Sequence, residues 1–118
     1  MLEFNGKLFL DISFPELPDV KVTSKSFRKL TIVQESDNKV PIAELNLVTL
    51  GYDLIEQFDK DGIIMEVSYS TIREKATESK YKFLMTNLRF EETEDNQISV
   101  SLFFSPFPHG TGSLSVSK

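Results

Sequence analysis

Cysteine is missing altogether from the 118 residues, which excludes disulfides and thiol chemistry and disfavours a zinc site. Histidine occurs once, so no pair of imidazoles exists for a metal or catalytic cluster. Positive charge is in deficit: 13 Lys and Arg stand against 18 Asp and Glu, a formal net charge of −5. That balance argues against binding nucleic acid non-specifically through its phosphates. Long apolar runs are absent as well. The N-terminal stretch MLEFNGKLFLDISF is apolar only in alternation and carries Glu3, Lys7 and Asp11. It is expected to be neither a signal peptide nor a membrane span.

What is present is ordinary for a folded chain. Hydrophobic residues make up 40% and charged residues 26%, enough apolar material for one self-sufficient core and too much for wholesale disorder. The length fits a single domain.

The dominant period is two. In residues 2–14 the even positions read Leu2, Phe4, Gly6, Leu8, Leu10, Ile12 and Phe14, with mostly polar residues between them. Alternation of this kind predicts one long half-buried strand, with a bulge or bend at Gly6. Residues 15–26 hold two prolines and scattered charge, predicting a loop with a short edge strand at residues 20–23. Residues 27–34 form a second strand with Leu30 and Ile32 on one face, followed by a polar turn at residues 35–39. Residues 40–50 form a third, with Ala43, Leu45, Leu47 and Thr49 on one face.

The pattern then changes. Leu54, Ile55 and Phe58 lie on one side of a single helical turn, with Asp53 as expected N-cap and Glu56 three residues on. Asp59-Lys60-Asp61-Gly62 ends it. Ile63, Met65, Val67 and Tyr69 mark a fourth strand and residues 71–80 a charged loop or hairpin tip. Residues 81–91 make a fifth strand and residues 91–96 an acidic turn. Ile98, Val100, Leu102 and Phe104 mark a sixth strand. The expectation is an all-β fold, a six-stranded antiparallel barrel or sandwich with one short helix. It would occupy residues 1–105, with a flexible Pro/Gly/Ser-rich tail at 106–118.

Four constellations invite chemistry. Asp59-Lys60-Asp61-Gly62 has the look of a calcium loop, but Gln57 and Ser68 would stand where carboxylates are required. The acidic run at residues 91–95 supplies paired carboxylates, yet acid–base work needs a cleft that raises one pKa. His109 sits near Ser105 and Ser113 in a Pro/Gly segment with nothing to hold a nucleophile–base geometry. Lys21, Lys25, Arg28 and Lys29 form a small basic cluster suited to phosphate or to an acidic neighbour subunit. No residue set points to an enzyme, and no cofactor is implied. Aromatics are plentiful: Phe83, Phe103, Phe104 and Phe107 exceed what one buried face needs, and Phe83-Leu84-Met85 is apolar on both sides of its strand. Such two-sided strands signal full burial or a subunit contact.

The succession VPIAELNLVTL, YDLIEQF, DKDGIIMEVSYS, KYKFLMTNLRFEETED and ISVSLFF resembles phage baseplate hub proteins and the related spike proteins of contractile injection systems. The resemblance covers most of the chain. It implies a tail-tube-like β-barrel that self-assembles into a ring joining tail parts, a structural virion component assembled in the host cytoplasm. Its partners would be copies of itself and other tail or baseplate proteins, with no membrane and no specific nucleic acid. The family's enzymatic members carry lytic domains beyond this barrel, for which 118 residues leave no space. The expected subunit interface comprises Phe83, Met85 and Phe103, together with Arg73 and Lys75 in a loop reaching to a neighbour. The competing expectation is a small monomeric OB-like barrel that binds peptide or oligosaccharide.

Overall fold

The computed structural model describes residues 2–4, 8–33, 42–70, 79–106 and 114–117. These form one antiparallel sheet of eight strands curled into a half-barrel, with very little helix. The strands are β1 (Leu2–Phe4), β2 (Leu8–Ser13), β3 (Phe27–Val33), β4 (Ile42–Thr49), β5 (Ile64–Ser70), β6 (Ser79–Glu92), β7 (Ile98–Pro106) and β8 (Leu114–Ser117). A single helix, α1 (Asp53–Phe58), lies between β4 and β5. Across the sheet the order is β1-β2-β5-β6-β7-β4-β3-β8. Eight strands replace the expected six, for two separate reasons.

The first reason lies at the N-terminus. The alternation over residues 2–14 does not belong to one strand, because β1 and β2 pair as a hairpin with Leu2 opposite Leu10 and Phe4 opposite Leu8. Partners across that hairpin share parity, so the even-numbered apolar set stays on one face through the reversal. The pattern thus survives a turn that it cannot reveal. The bulge or bend expected at Gly6 lies outside the described residues. The second reason is at the other terminus. The tail expected to be a flexible arm supplies β8, which extends the sheet by pairing Leu30 with Val116 and Ile32 with Leu114.

Residues 14–26 carry the chain from β2 across to β3 without the short strand expected at residues 20–23. Instead Phe14, Leu17 and Val20 are buried at three-residue intervals. The Leu17 N–H donates to Phe14 O at 2.9 Å and the Val20 N–H to Leu17 O at 3.0 Å. Pro15 and Pro18 take the second position of these two successive turns, where their fixed φ is already suitable. The segment is tied down by Glu16, whose carboxylate accepts from the Ile64 N–H at 3.2 Å.

The inner face of the sheet, this segment and α1 enclose one core. Leu10, Leu30, Leu45, Leu47, Met65, Val67, Phe83, Val100, Leu102 and Phe104 are all at most 2% exposed within it. Phe58 of α1 is 0% exposed and meets the Phe14 ring edge-on at 4.7 Å. Ile55 is buried beside it, so the helical turn closes one side of the half-barrel as its spacing predicts. Its N-cap is Tyr52 rather than Asp53, and no side chain caps it. On the open side, Phe4 of β1 reaches Phe27 of β3 with ring centroids 5.5 Å apart.

The registers bring the end of β2, the start of β3, the end of β4, the start of β5, the end of β6 and the start of β7 to one end of the sheet. Segments 14–26, 50–63 and 93–97 therefore cluster there, and that end carries most of what remains exposed and unusual.

Candidate functional site

β6 organises this region. It is 14 residues long, and it changes face partway along. The register with β7 slips between Met85, opposite Phe104, and Asn87, opposite Phe103, leaving Thr86 as an extra residue. The Thr86 hydroxyl donates to Phe103 O at 3.2 Å. A bulge of this kind reverses which parity faces inward. Before it Phe83 is buried in the core and Met85 packs half-buried against it; after it Leu88 takes the inner face. Phe83 therefore serves the core of the isolated chain, where it is 2% exposed. Its inward direction follows from its register opposite Met65.

Leu84 points outward, opposite Ile64 on β5. Phe103 lies on the same outer face, one diagonal away on β7. These three half-buried apolar side chains form a strip across an otherwise polar surface of Ser99, Ser101, Ser105 and Asn46. The Arg89 guanidinium lies over the Phe103 ring, 5.6 Å from its centroid. Asn46 Nδ2 stitches β4 to β7 by donating to Ser99 Oγ (3.2 Å), Val100 O (3.2 Å) and Ser101 Oγ (3.0 Å). The two-sided apolarity of Phe83-Leu84-Met85 therefore has two causes, a core on one side and this strip on the other.

The second half of β6 has a different character. Its pairing with β5 stops at Leu84 opposite Ile64, after which the Met85 N–H donates to Ile63 O at 2.9 Å. Among the described residues, β6 beyond Met85 is paired only with β7. The Thr93 N–H donates to Gln97 O at 2.8 Å, and the register continues through Glu91, Arg89 and Asn87. In an antiparallel ladder every second residue faces the same partner. The N–H and C=O groups of Leu88, Phe90 and Glu92 thus face the unpaired edge. The Leu88 N–H accordingly takes an oxygen from its own neighbour, Asn87 Oδ1, at 2.9 Å.

Along that edge runs a groove of about 580 Å³ walled by Ile55, Phe58, Met85, Leu88 and Phe90 and by the turn Asp59-Lys60-Asp61. Phe90 is 51% exposed and Tyr52 45%, their rings edge-on at 5.9 Å. Leu50 nearby in the chain is 79% exposed. The Tyr52 hydroxyl donates to the Glu92 carboxylate, which raises the Tyr52 pKa above the ordinary tyrosine value. A second groove, of about 750 Å³, separates β2 from residues 15–23 and has Lys21 and Glu66 on its walls.

The remaining sequence candidates do not converge on a site. Asp59 and Asp61 are exposed on their turn, and among the described residues no group of three His, Cys, Asp or Glu is placed to hold a metal ion. Glu91 and Glu92 belong to β6 rather than to the turn, which Asn96 closes with φ of 59°. Lys21, Lys25, Arg28 and Lys29 are exposed. Arg73, Lys75 and His109 lie outside the described residues. At the far end of the inner face Tyr69 and Tyr81 stack at 5.7 Å with their hydroxyls 3.2 Å apart. That hydrogen bond, aided by burial, pushes the Tyr81 pKa up to about 12. Among the described residues, no helix is long and apolar enough to cross a membrane.

The β6 edge, Tyr52 and Phe90 escape a reading by residue type. A signal for them nevertheless exists in the phase of the alternation, which is odd at Phe83 and Met85 and even at Leu88 and Phe90. A phase slip inside one apolar run marks a bulge. No family model matches the chain, and no curated protein or solved structure matches it either.

Proposed function

We propose that this protein is a structural assembly component, a tail-tube-like or hub-like half-barrel that packs against copies of itself and other proteins of a phage tail or related injection machine. The observation that supports this reading is the outer strip of Ile64, Leu84 and Phe103. Apolar side chains lined up across three strands on a sheet's outer face serve no core of their own. Buried by a neighbour, each would contribute on the scale of about 25 cal/mol per Å² of apolar surface. Phe103 is the expected anchor: it is half-buried in the isolated chain, and Arg89 lies against its ring. An aromatic backed by arginine is the composition enriched at interface centres.

Native mass spectrometry and light scattering across a concentration series test the reading. The expected result is a discrete oligomer that Phe103→Asp converts to a folded monomer, a loss of several kcal/mol of association if Phe103 is central. A wild-type chain that stays monomeric throughout removes the assembly reading. It would favour a small binding module, with the groove beside β2 as the place to look for a ligand.

A further inference from the structure

We infer that the unpaired edge of β6 is a strand-addition site for an extended, positively charged segment of a different protein. Three independent features coincide there. The first is the ladder. Leu88, Phe90 and Glu92 turn their backbone donors and acceptors to a side that no described strand occupies, and an extended peptide satisfies such groups in register. The second is the groove alongside. Its apolar wall of Ile55, Phe58, Leu88 and Phe90 lies on the inner side of the edge. A docked strand turns every second side chain to that side, so alternate positions of the partner are apolar.

The third feature is charge. Asp59 and Asp61 line the groove, Asp53 and Glu56 lie on α1 beside it, and β6 ends in Glu91 and Glu92, all exposed; the cations set against them are Lys60 on that turn and Arg89 on β6, the latter drawn over the Phe103 ring. The field at both ends of the groove therefore favours lysine or arginine at the flanks of the bound segment. A second copy of this chain is a poor occupant. Its described basic run is already folded: Thr23 and Ser26 close a turn, with the Ser26 N–H donating to Thr23 O at 3.2 Å, and Arg28 and Lys29 belong to β3. The inference is independent of whether the outer strip mediates self-assembly.

The test uses the full chain and two synthetic peptides, acetyl-Lys-Val-Thr-Val-Thr-Val-Lys-amide and the same peptide with glutamate at both ends. Binding is followed by the amide hydrogen exchange of individual residues and by light scattering. The lysine peptide is expected to bind and to slow exchange at Phe90 and Glu92, while Asn87, Arg89 and Glu91, already bonded to β7, stay unchanged. Asp59→Lys combined with Asp61→Lys, on an exposed turn, is expected to weaken binding about tenfold and to flatten its salt dependence. Phe90→Pro removes one edge N–H together with a ring of the groove wall, leaves the N–H groups that bond to β7 in place, and is expected to abolish binding. Should the proline variant fail to fold, the charge-reversed variant decides alone. Equal binding of the glutamate peptide, or no binding of either, overturns the inference. Binding without protection at Phe90 and Glu92 overturns it too. Protection of these amides that grows with protein concentration without peptide makes a second copy the occupant and likewise overturns it. A wild-type monomer that binds the lysine peptide upholds this site while removing the assembly reading; an oligomer indifferent to both peptides does the reverse.

Discussion

Phe58→Ala is the sharpest probe of how α1 completes the half-barrel. Phe58 is 0% exposed, its ring meets Phe14 at 4.7 Å, and it belongs to the core cluster of the described residues. Truncation removes a phenyl group that is fully out of water, which costs about 3–5 kcal/mol in comparable sites. Part of that sum is the edge-on pairing with Phe14, about 0.5–1.5 kcal/mol. Phe58 also forms part of the wall of the 580 Å³ groove. The vacated space is lined by apolar core neighbours, and a loss near the middle of the range, about 4 kcal/mol, is expected. For a domain of this length the unfolding entropy is roughly 0.25 kcal/mol per kelvin, so the melting temperature should fall by about 16 °C. Urea titrations of wild type, Phe58→Ala, Phe14→Ala and the double variant supply the measurement. The m-value should hold while the midpoint drops, and the cycle should return a coupling of about 1 kcal/mol between the two rings. A loss under about 1 kcal/mol, or strictly additive single variants, would refute the idea that α1 closes the core through this pair.

Three smaller predictions concern individual contacts. In a spectrophotometric titration Tyr52 and Tyr81 should ionise above the ordinary tyrosine value, Tyr81 at about 12. Because the folded pKa of Tyr81 is raised, its contribution to stability is complete below its unfolded value of 10.0 and is lost as pH rises toward 12. Tyr69→Phe should bring the Tyr81 titration back down, and an unmoved curve would show the hydroxyl pair to be irrelevant. Gly62 has φ of +79°, and nothing lies within 4 Å of the position a Cβ would take, so Gly62→Ala meets strain without a clash. It should cost about 1 kcal/mol by chemical denaturation, with Gly62→Asn costing less. Asn46→Ala removes three donated bonds between β4 and β7 and should cost about 1–2 kcal/mol, against no more than a few tenths for Glu66→Ala. The Glu66–Lys82 pair is 3.7 Å apart and wet on both sides, at 41% and 59% exposed.

Local pattern carried most of the strands. Ala43-Leu45-Leu47, Met65-Val67 and Val100-Leu102-Phe104 alternate within one element each, and each set is buried as its period requires. The same is true of Ile55 and Phe58, whose spacing is helical and whose burial follows. These features depend on residues a few positions apart, and period two or period 3.6 is a property of the backbone alone. One further feature also has a local signal, though alternation alone does not expose it: the proline spacing in residues 14–20 marks two successive turns with buried corners.

The phase of the alternation places Phe83 inward, Phe103 outward and the slip between Met85 and Leu88, whereas the neighbours of the candidate surface depended on pairing between distant segments. Leu88, Phe90 and Glu92 face an open edge only because β5 begins at Ile64, opposite Leu84, and leaves the rest of the longer strand uncovered. The last four described residues are a strand because β3 offers them a partner more than 80 positions earlier. A side chain's face is set by its own strand's period, whereas the neighbour on each edge is set by the fold's strand order. Strand order is decided by the burial and hydrogen bonding of the whole sheet together, which no local window of sequence contains.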